Sequence, residues 1–391
     1  MPFPSWLPIL LGVLTAVGPI STDMYLPAFP AIEATFGGQA GSAQITLATW
    51  FLGLAIGQIT QGPLSDRFGR RWPLFCGVVL YTAASAGCAV APDLTTLSVM
   101  RLLAALGGSA GMVVPRAIIR DLADGHAAAR MMSRLMLVMG AAPILAPTLG
   151  GLVLKVADWH AIFWIAAGYG ALCSAAVWWK LPDTLPPQNR VKLGVGAQLS
   201  RYIIIFRERS FLSHACLGGF AMFGLFAYIG GAPDVFINRF HLTPSAFGLL
   251  FGACAAGLIA ASQANPRLLR RFGPSRLLRL GVRIFVAATL VLTGIAFADV
   301  GPWWLVALPI VVSTSCMGIT TPNAVVGALS RHAGHAGSAS ALMGTMQFAL
   351  GAVSGVLVGA ASDGTARPMA LLMLFGACGA AVADLCRPVR P

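Results

Sequence analysis

Charge is what this chain lacks most. Asp, Glu, Lys and Arg together make up 10% of its 391 residues, far below the rough quarter that clothes a soluble domain. A water-soluble globule is excluded. Disorder, collagen and coiled coil fail as well, because apolar runs of about 20 residues recur from Leu7 to Ala383 with few charges to break them. The eight cysteines show no Cys-x-x-Cys spacing and fall mostly inside apolar stretches, so neither a zinc site nor a disulfide framework is expected. No Gly-x-x-x-x-Gly-Lys-Ser/Thr loop occurs, and the usual cradle for ATP is missing with it. A nucleophile beside a base, or metal ligands grouped at one depth, is also missing, which removes the basis for a membrane-embedded enzyme. His332 and His335 lack a third ligand nearby and read as a loop, so no metal is expected. Met1–Trp6 carries no basic segment and no small-residue cleavage site follows, so this stretch is expected to remain the start of the first helix.

What the chain has is hydrophobicity: 57% of its side chains are apolar and the mean hydropathy is +0.79. A spanning helix takes about 20 residues and a short loop about ten, which predicts an all-α polytopic membrane protein of about twelve spans. They are placed at 7–29, 44–64, 73–91, 94–118, 132–154 and 160–179, then 211–235, 244–265, 280–298, 303–326, 338–361 and 367–384. The net charge of +13 does not point to nucleic acid, since the arginines sit between apolar runs instead of clustering on a water-facing surface. They follow the positive-inside bias. With both chain ends placed in the cytoplasm, only Lys155, Arg239 and Arg367 of the 26 basic residues fall outside, and Arg101 lies within a span.

The longest polar stretch, Lys180 to Arg209, divides the chain into a first half at 1–180, a cytoplasmic linker at 181–210 and a second half at 211–391. Within the linker, Leu199, Tyr202, Ile203 and Phe206 interleave with arginines. That pattern suits a short interfacial helix, the alternative being a plain basic connector. Arg67-Phe68-Gly69 after span two returns as Arg271-Phe272-Gly273 after span eight, which supports two pseudo-symmetric six-helix halves. Two parallel halves around a central cavity are a transporter architecture.

Four stretches carry chemistry. The segment from Gly62 to Arg71 reads as a tight turn between spans two and three: Gly62 permits close helix approach, Gly69 a turn closed to other residues, and Asp66, Arg67 and Arg70 form ion pairs. Asp66 would favour the helix N-terminus opening at Gly337-Ser338, and Asp121, ahead of Asp124, is the acid for Arg70, which makes the segment a cytoplasmic latch. Arg101 lies about 10 Å below the outer end of span four and cannot shed its charge, so it must face a cavity or a partner. Asp23 stands about 24 Å from the inner end of span one, in the same outer half of a core of about 30 Å, within reach of Arg101. An intramembrane carboxylate is costly unless paired or protonated, so Asp23 is the candidate proton carrier. In span five, Pro143 and Pro147 remove backbone donors while Gly140 and Gly150 allow close packing, which predicts a bent helix against a close neighbour.

The Gly62–Arg71 segment resembles the signature loop of the major facilitator superfamily, and Gly140–Gly151 resembles the antiporter motif of its drug exporters. Thr22–Pro27, Gln44–Leu47, Gly57–Arg71 and Pro115–Asp121, with Tyr228–Pro233 and Ser338–Leu342 in the second half, look like the bicyclomycin-resistance (Bcr/CflA) family. Asp234 departs from the apolar residue expected there. The resemblance implies the major facilitator fold and proton-coupled export of drug-like molecules of the chloramphenicol or bicyclomycin type. It assigns Asp23 and Arg101 to proton coupling and Tyr25, Gln44, Tyr228 and Gln347 to the substrate cavity. It also implies a bacterial inner membrane, a monomer in the lipid bilayer, protons and a small molecule as partners, and no cofactor beyond the proton gradient. A major-facilitator carrier of a normal metabolite is the alternative.

Overall fold

The computed structural model describes residues 6–38, 41–122, 131, 135, 138, 142, 145–190, 194–299, 301–332 and 335–388, all of them in helices, turns or extended connections with no strand among them. Gly140, Pro143 and Asp124 lie outside the described residues. The first span, α1, runs Leu7–Thr35. It is followed by α2 (Gln44–Phe68), α3 (Arg71–Ala89), α4 (Leu94–Leu122), α5 (helical at 145–153) and α6 (Trp159–Lys180). After the linker helix α7 (Val195–Arg207) come α8 (Arg209–Pro233), α9 (Pro244–Phe272), α10 (Pro274–Ala298), α11 (Trp303–Leu329), α12 (Ala336–Ala361) and α13 (Arg367–Leu385).

Among the described residues, 10 helices are long and apolar enough to cross a bilayer. The twelve expected spans are therefore not all met by that measure. The span expected at 44–64 is α2, which carries Gln44, Gln58 and Gln61 and ends on Asp66 and Arg67. The one at 132–154 falls partly outside the described residues.

Two further expectations are corrected. The first span does not stop at residue 29 but continues to Thr35, broken into helices Leu7–Thr15, Val17–Asp23 and Phe29–Thr35 with a 3-10 turn at Leu26–Ala28. Prolines cause the breaks: Pro19, Pro27 and Pro30 have no N–H to give the carbonyls of Thr15, Asp23 and Leu26. The segment from Gly62 is likewise not a turn. Residues 62–68 are the last turns of α2, and the chain reverses only at Gly69, where φ is 89°. Gly273 closes α9 with φ 72°, so the repeated Arg-Phe-Gly has a repeated geometry.

Helices α1 to α4 and α6 pack on one another, as do α8 to α13. The seam between the two groups is made chiefly by α2 against α12, with the break in α1 touching α8 and α9. In mid-seam Phe51 of α2 meets Phe226 of α8 with ring centroids 3.8 Å apart, and Phe348 of α12 stacks on both at 6.3 and 6.1 Å. Outward, Leu172, Leu249, Leu290, Val326 and Phe375 are each more than half exposed. Acyl chains solvate such a surface, and helices suit it because they pair their backbone groups internally. Trp72 and Trp178 gather at the arginine-rich end, where Arg71 Nη2 donates to the Trp178 carbonyl at 2.5 Å, an interfacial anchor. The linker helix is present, and Tyr202 ties it to α2 by donating to the Ile59 carbonyl at 3.2 Å.

Candidate transport site

Arg101 and Asp23 do not form the pair their depths allowed. Arg101, 2% exposed, is held in an aromatic cage: its Cζ lies 4.1 Å from the ring centre of Tyr25, 4.4 Å from Trp50 and 5.8 Å from Phe163. Nη1 donates to the Ser21 carbonyl at 2.8 Å, while Nε and Nη2 make no hydrogen bond. Ring faces carry negative charge and suit a weakly hydrated guanidinium. The Ser21 hydroxyl meets the Tyr81 hydroxyl at 2.6 Å and fixes the carbonyl's helix from behind. Asp23, 6% exposed, ends its helical segment where Pro27 interrupts the hydrogen-bond ladder. No ion pair reaches it among the described residues, and the 3-10 turn that follows it touches α8 and α9 across the seam. The break in α1 separates the two charges, leaving the cation caged inside the first group of helices and the acid at the seam.

The residues expected to line a substrate cavity divide. Tyr25 belongs to the cage and donates to or accepts from Thr46 at 3.2 Å. Gln44 is fully buried at the end of the seam away from the arginine-rich end, where Nε2 donates to the Gly230 carbonyl at 3.2 Å and to Asp234 at 3.4 Å. Tyr228 stacks on Phe251 at 5.5 Å, and its hydroxyl is buried with no hydrogen-bond partner. Gln347 Nε2 is also buried and unpartnered, beside Gly218. Two unpaired polar groups on α8 and α12 flank the seam, and the Phe51–Phe226–Phe348 stack fills the middle between them.

A vestibule of about 930 Å³ opens at the arginine-rich end, lined from Gln58 to Phe68 on α2, by Arg116 and Arg120 on α4, by Arg201 and Tyr202 on α7 and by Gly337 and Ser338 on α12. From Phe68 to Gln58 it penetrates about 15 Å, half of a core of about 30 Å. Beyond that level the helices touch: Thr345 donates to the Ala55 carbonyl at 3.1 Å, and a Cβ on Gly344 would stand 3.2 Å from Gln58.

The latch is made, but within one group of helices. Arg70, almost wholly buried, donates through Nη1 to Asp66 and to Ser65 at 2.9 Å, and through Nε and Nη2 to Asp121 at 2.6 and 3.2 Å. One guanidinium thus ties the arginine-rich ends of α2, α3 and α4, with Asp121 in the role expected of it. The expected contact of Asp66 with the helix starting at Gly337-Ser338 is not made, because the vestibule lies between them. Gly62 also faces this space: a Cβ there would meet nothing within 4 Å, so the close approach expected of it is not used. Arg67 lines the same space, over the ring of Phe68. Gly69 is needed twice over, by its positive φ and because a Cβ would lie 2.0 Å from Asp183 Oδ2. Asp183 went unnoticed in the sequence. It accepts the Arg70 N–H at 2.8 Å and pairs with Arg190 at 2.8 Å, fastening the linker to the loop. A lone acid in a proline-rich connector carries no signal of that role.

Of the span-five residues, Pro147 is buried in α5 and Gly150 sits against the break in α1, where a Cβ would come within 1.8 Å of the Met24 carbonyl. Next to it, a Cβ on Gly151 would lie 2.8 Å from the Pro244 carbonyl of α9. The expected close neighbour is thus the backbone directly after Asp23, and α5 is wedged beside the acid.

A vestibule that enters from one side and stops at a packed seam is the geometry of a carrier, since a pore would run through. The chain belongs to the major facilitator superfamily, whose family model matches residues 11–356, and within it to the bicyclomycin-resistance (Bcr/CflA) family. It is 30% identical over 370 residues to the bicyclomycin resistance protein homolog of Haemophilus influenzae, across 95% of this chain and 92% of that one. Identity is 35% over 377 residues to the MFS-type transporter YdgK of Bacillus subtilis, covering 95% and 92%. With the chloramphenicol resistance protein of Pseudomonas aeruginosa it is 27% over 374 residues, covering 94% and 87%. The fold matches the crystal structure of a D-xylose-proton symporter with a TM-score of 0.75 at 16% identity, over 97% of this chain and 95% of that one. The chain is a multi-pass membrane transporter and not an enzyme.

Proposed function

We propose that this transporter exports drug-like small molecules of the chloramphenicol or bicyclomycin type across the bacterial inner membrane, exchanging them for protons by alternating access. The observation that carries the reading is Asp23: a buried carboxylate at the seam, without a cation bound to it, in the broken stretch of α1 against which Gly150 packs. A lone carboxylate in a dry seam is costly to ionise, whereas water or a nearby guanidinium favours its charge. A proton arriving from outside would neutralise Asp23, favour drug release and permit the return inward, where deprotonation prepares the site again. Arg101, caged close by in the same group of helices, biases that equilibrium without quenching it. The proton gradient is the energy source, no cofactor is required, and a monomer in the bilayer suffices. The names of the relatives support drugs as the substrate class.

Overproduction in a drug-sensitive host should raise the inhibitory concentration of chloramphenicol-like compounds, and a protonophore should stop their efflux. Accumulation unchanged for every drug but lowered for a metabolite in a parallel panel would sink the drug reading in favour of the metabolite carrier. The arginine-rich vestibule is placed on the cytoplasmic side with both termini, following the basic bias of the connecting segments. A cysteine introduced at Gln188 should then resist impermeant thiol reagents in intact cells, and ready labelling would reverse the orientation.

A further inference from the structure

The closed outer end of the seam holds two carboxylates that no Lys or Arg pairs with among the described residues. Glu33, in the last turns of α1, is 6% exposed, and its Oε1 accepts the N–H groups of Gly41 at 2.9 Å and Ala43 at 3.1 Å. Asp234 opens the single π-helical turn Asp234–Arg239 that follows α8, and it too is buried. It accepts hydrogen bonds from Ser362 Oγ at 2.5 Å, Asn238 Nδ2 at 2.9 Å and Gln44 Nε2 at 3.4 Å. The donors come from both sides of the seam, Gln44 from α2 and Ser362 from the end of α12. The two sites adjoin: Gly41, which donates to Glu33, packs on Ser362, which donates to Asp234, so closely that a Cβ on Gly41 would lie 2.6 Å from the Ser362 Cβ, and the last segment of α1 touches the π turn.

Three neutral donors solvate Asp234 as an anion. Glu33 has two for one oxygen and, among the described residues, no protein donor to the other. Two anions brought close in a water-poor seam repel, and burial by itself already disfavours a charged Glu33. Beside them Gln44 Oε1 is buried without a hydrogen-bond partner, an acceptor that a carboxylic O–H can serve. The remaining ionisable groups at this end are engaged elsewhere or face water: Lys155 after α5 is exposed, and Asp93 before α4 accepts the Thr96 N–H at 2.7 Å. Arg239 pairs with Asp299, Arg367 donates to the Ala296 carbonyl over the Phe297 ring, Asp363 caps Thr365, and Asp158 pairs with His160 of α6. In α1 the other acid is Asp23, α8 adds Tyr228, His241 precedes α9, and neither α2 nor α12 brings an ionisable side chain to this end.

We propose that Glu33 is a second proton-binding site, loaded when the outer ends of the two helix groups close and bring Asp234 against it. A proton from the outer water binds Glu33 Oε2, the repulsion vanishes, and the closed outer end becomes the stable one. When the seam opens, that proton returns to the same water. The site therefore sets how readily the outer end closes without contributing to stoichiometry. It rests on the export reading only for its physiological direction, in which the acidic outer side promotes closure after drug release.

Spin labels at Ala34 and Ala361, exposed residues flanking the closure, report its opening by distance in the otherwise cysteine-free chain in lipid nanodiscs. The wild-type distance should shift from short towards long as pH rises from acid to alkaline. Glu33→Gln, permanently neutral, should keep the short distance across the range, and Asp234→Asn, which removes the opposing charge but leaves Glu33 buried, should shrink the shift. Asp23→Asn should retain the wild-type shift even where export is lost, which separates this proposal from the coupling role of Asp23. A wild-type pH response preserved in both Glu33→Gln and Asp234→Asn, or abolished by Asp23→Asn alone, overturns it.

Discussion

Asp23→Asn should abolish export driven by a pH gradient while leaving drug binding measurable. Asparagine keeps the size of aspartic acid and fixes the neutral state, so the loading step that the outside proton performs is already complete and no longer depends on the gradient. Where Asp23 titrates, the wild-type drug affinity should change by up to about tenfold per pH unit, and the variant's should be flat. The fold should tolerate the change because no ion pair to Asp23 is broken. Substrate-stimulated proton movement in proteoliposomes is the decisive measurement. An Asn variant that still exported at the normal rate, halted by a protonophore as before, would move the coupling to another acid, with Asp234 the first to test.

Arg101→Lys carries the second large effect. Both side chains are cations, so a role that needs charge alone predicts little change. The cage says otherwise. A guanidinium lies flat between Tyr25 and Trp50 and sheds water readily, whereas an ammonium is compact, strongly hydrated and pointed. Losing a desolvated cation–π site costs about 2 kcal/mol or more, roughly thirtyfold in an equilibrium constant. Export by Arg101→Lys should fall by at least about that factor, and Trp50→Leu should weaken it in the same direction, at undiminished protein levels in the membrane. Near-normal export by the lysine variant would reduce the aromatic rings to packing.

The parts of the site that were legible in the sequence were those whose residue type is anomalous for its surroundings. An arginine or aspartate amid apolar residues stands out wherever it points, and Arg70 with Asp121 could be matched because both fall at inner helix ends. Trp50 and Phe163 could not be read as cage walls, since an aromatic ring in an apolar run has the same appearance whether it faces lipid, core or cation. Glu33 was hidden for a different reason. With the first span read as ending at residue 29, it looked like a loop residue, whereas two breaks made by three prolines let α1 continue in a bent path to Thr35 and bury it.

By itself the sequence determined that this protein lives in a bilayer, how its helices alternate with basic connectors, and which buried charges must have a purpose, because the cost of charge and unpaired backbone in lipid is written residue by residue. Only the tertiary structure decided which of those charges meet. Contact depends on helix breaks, on glycines that admit a neighbour's backbone and on which end of the seam is closed. Those are properties of several distant segments at once: Arg101 went to three rings instead of to Asp23, Asp66 stayed with Arg70 instead of reaching α12, and Asp234 found Gln44 and Ser362.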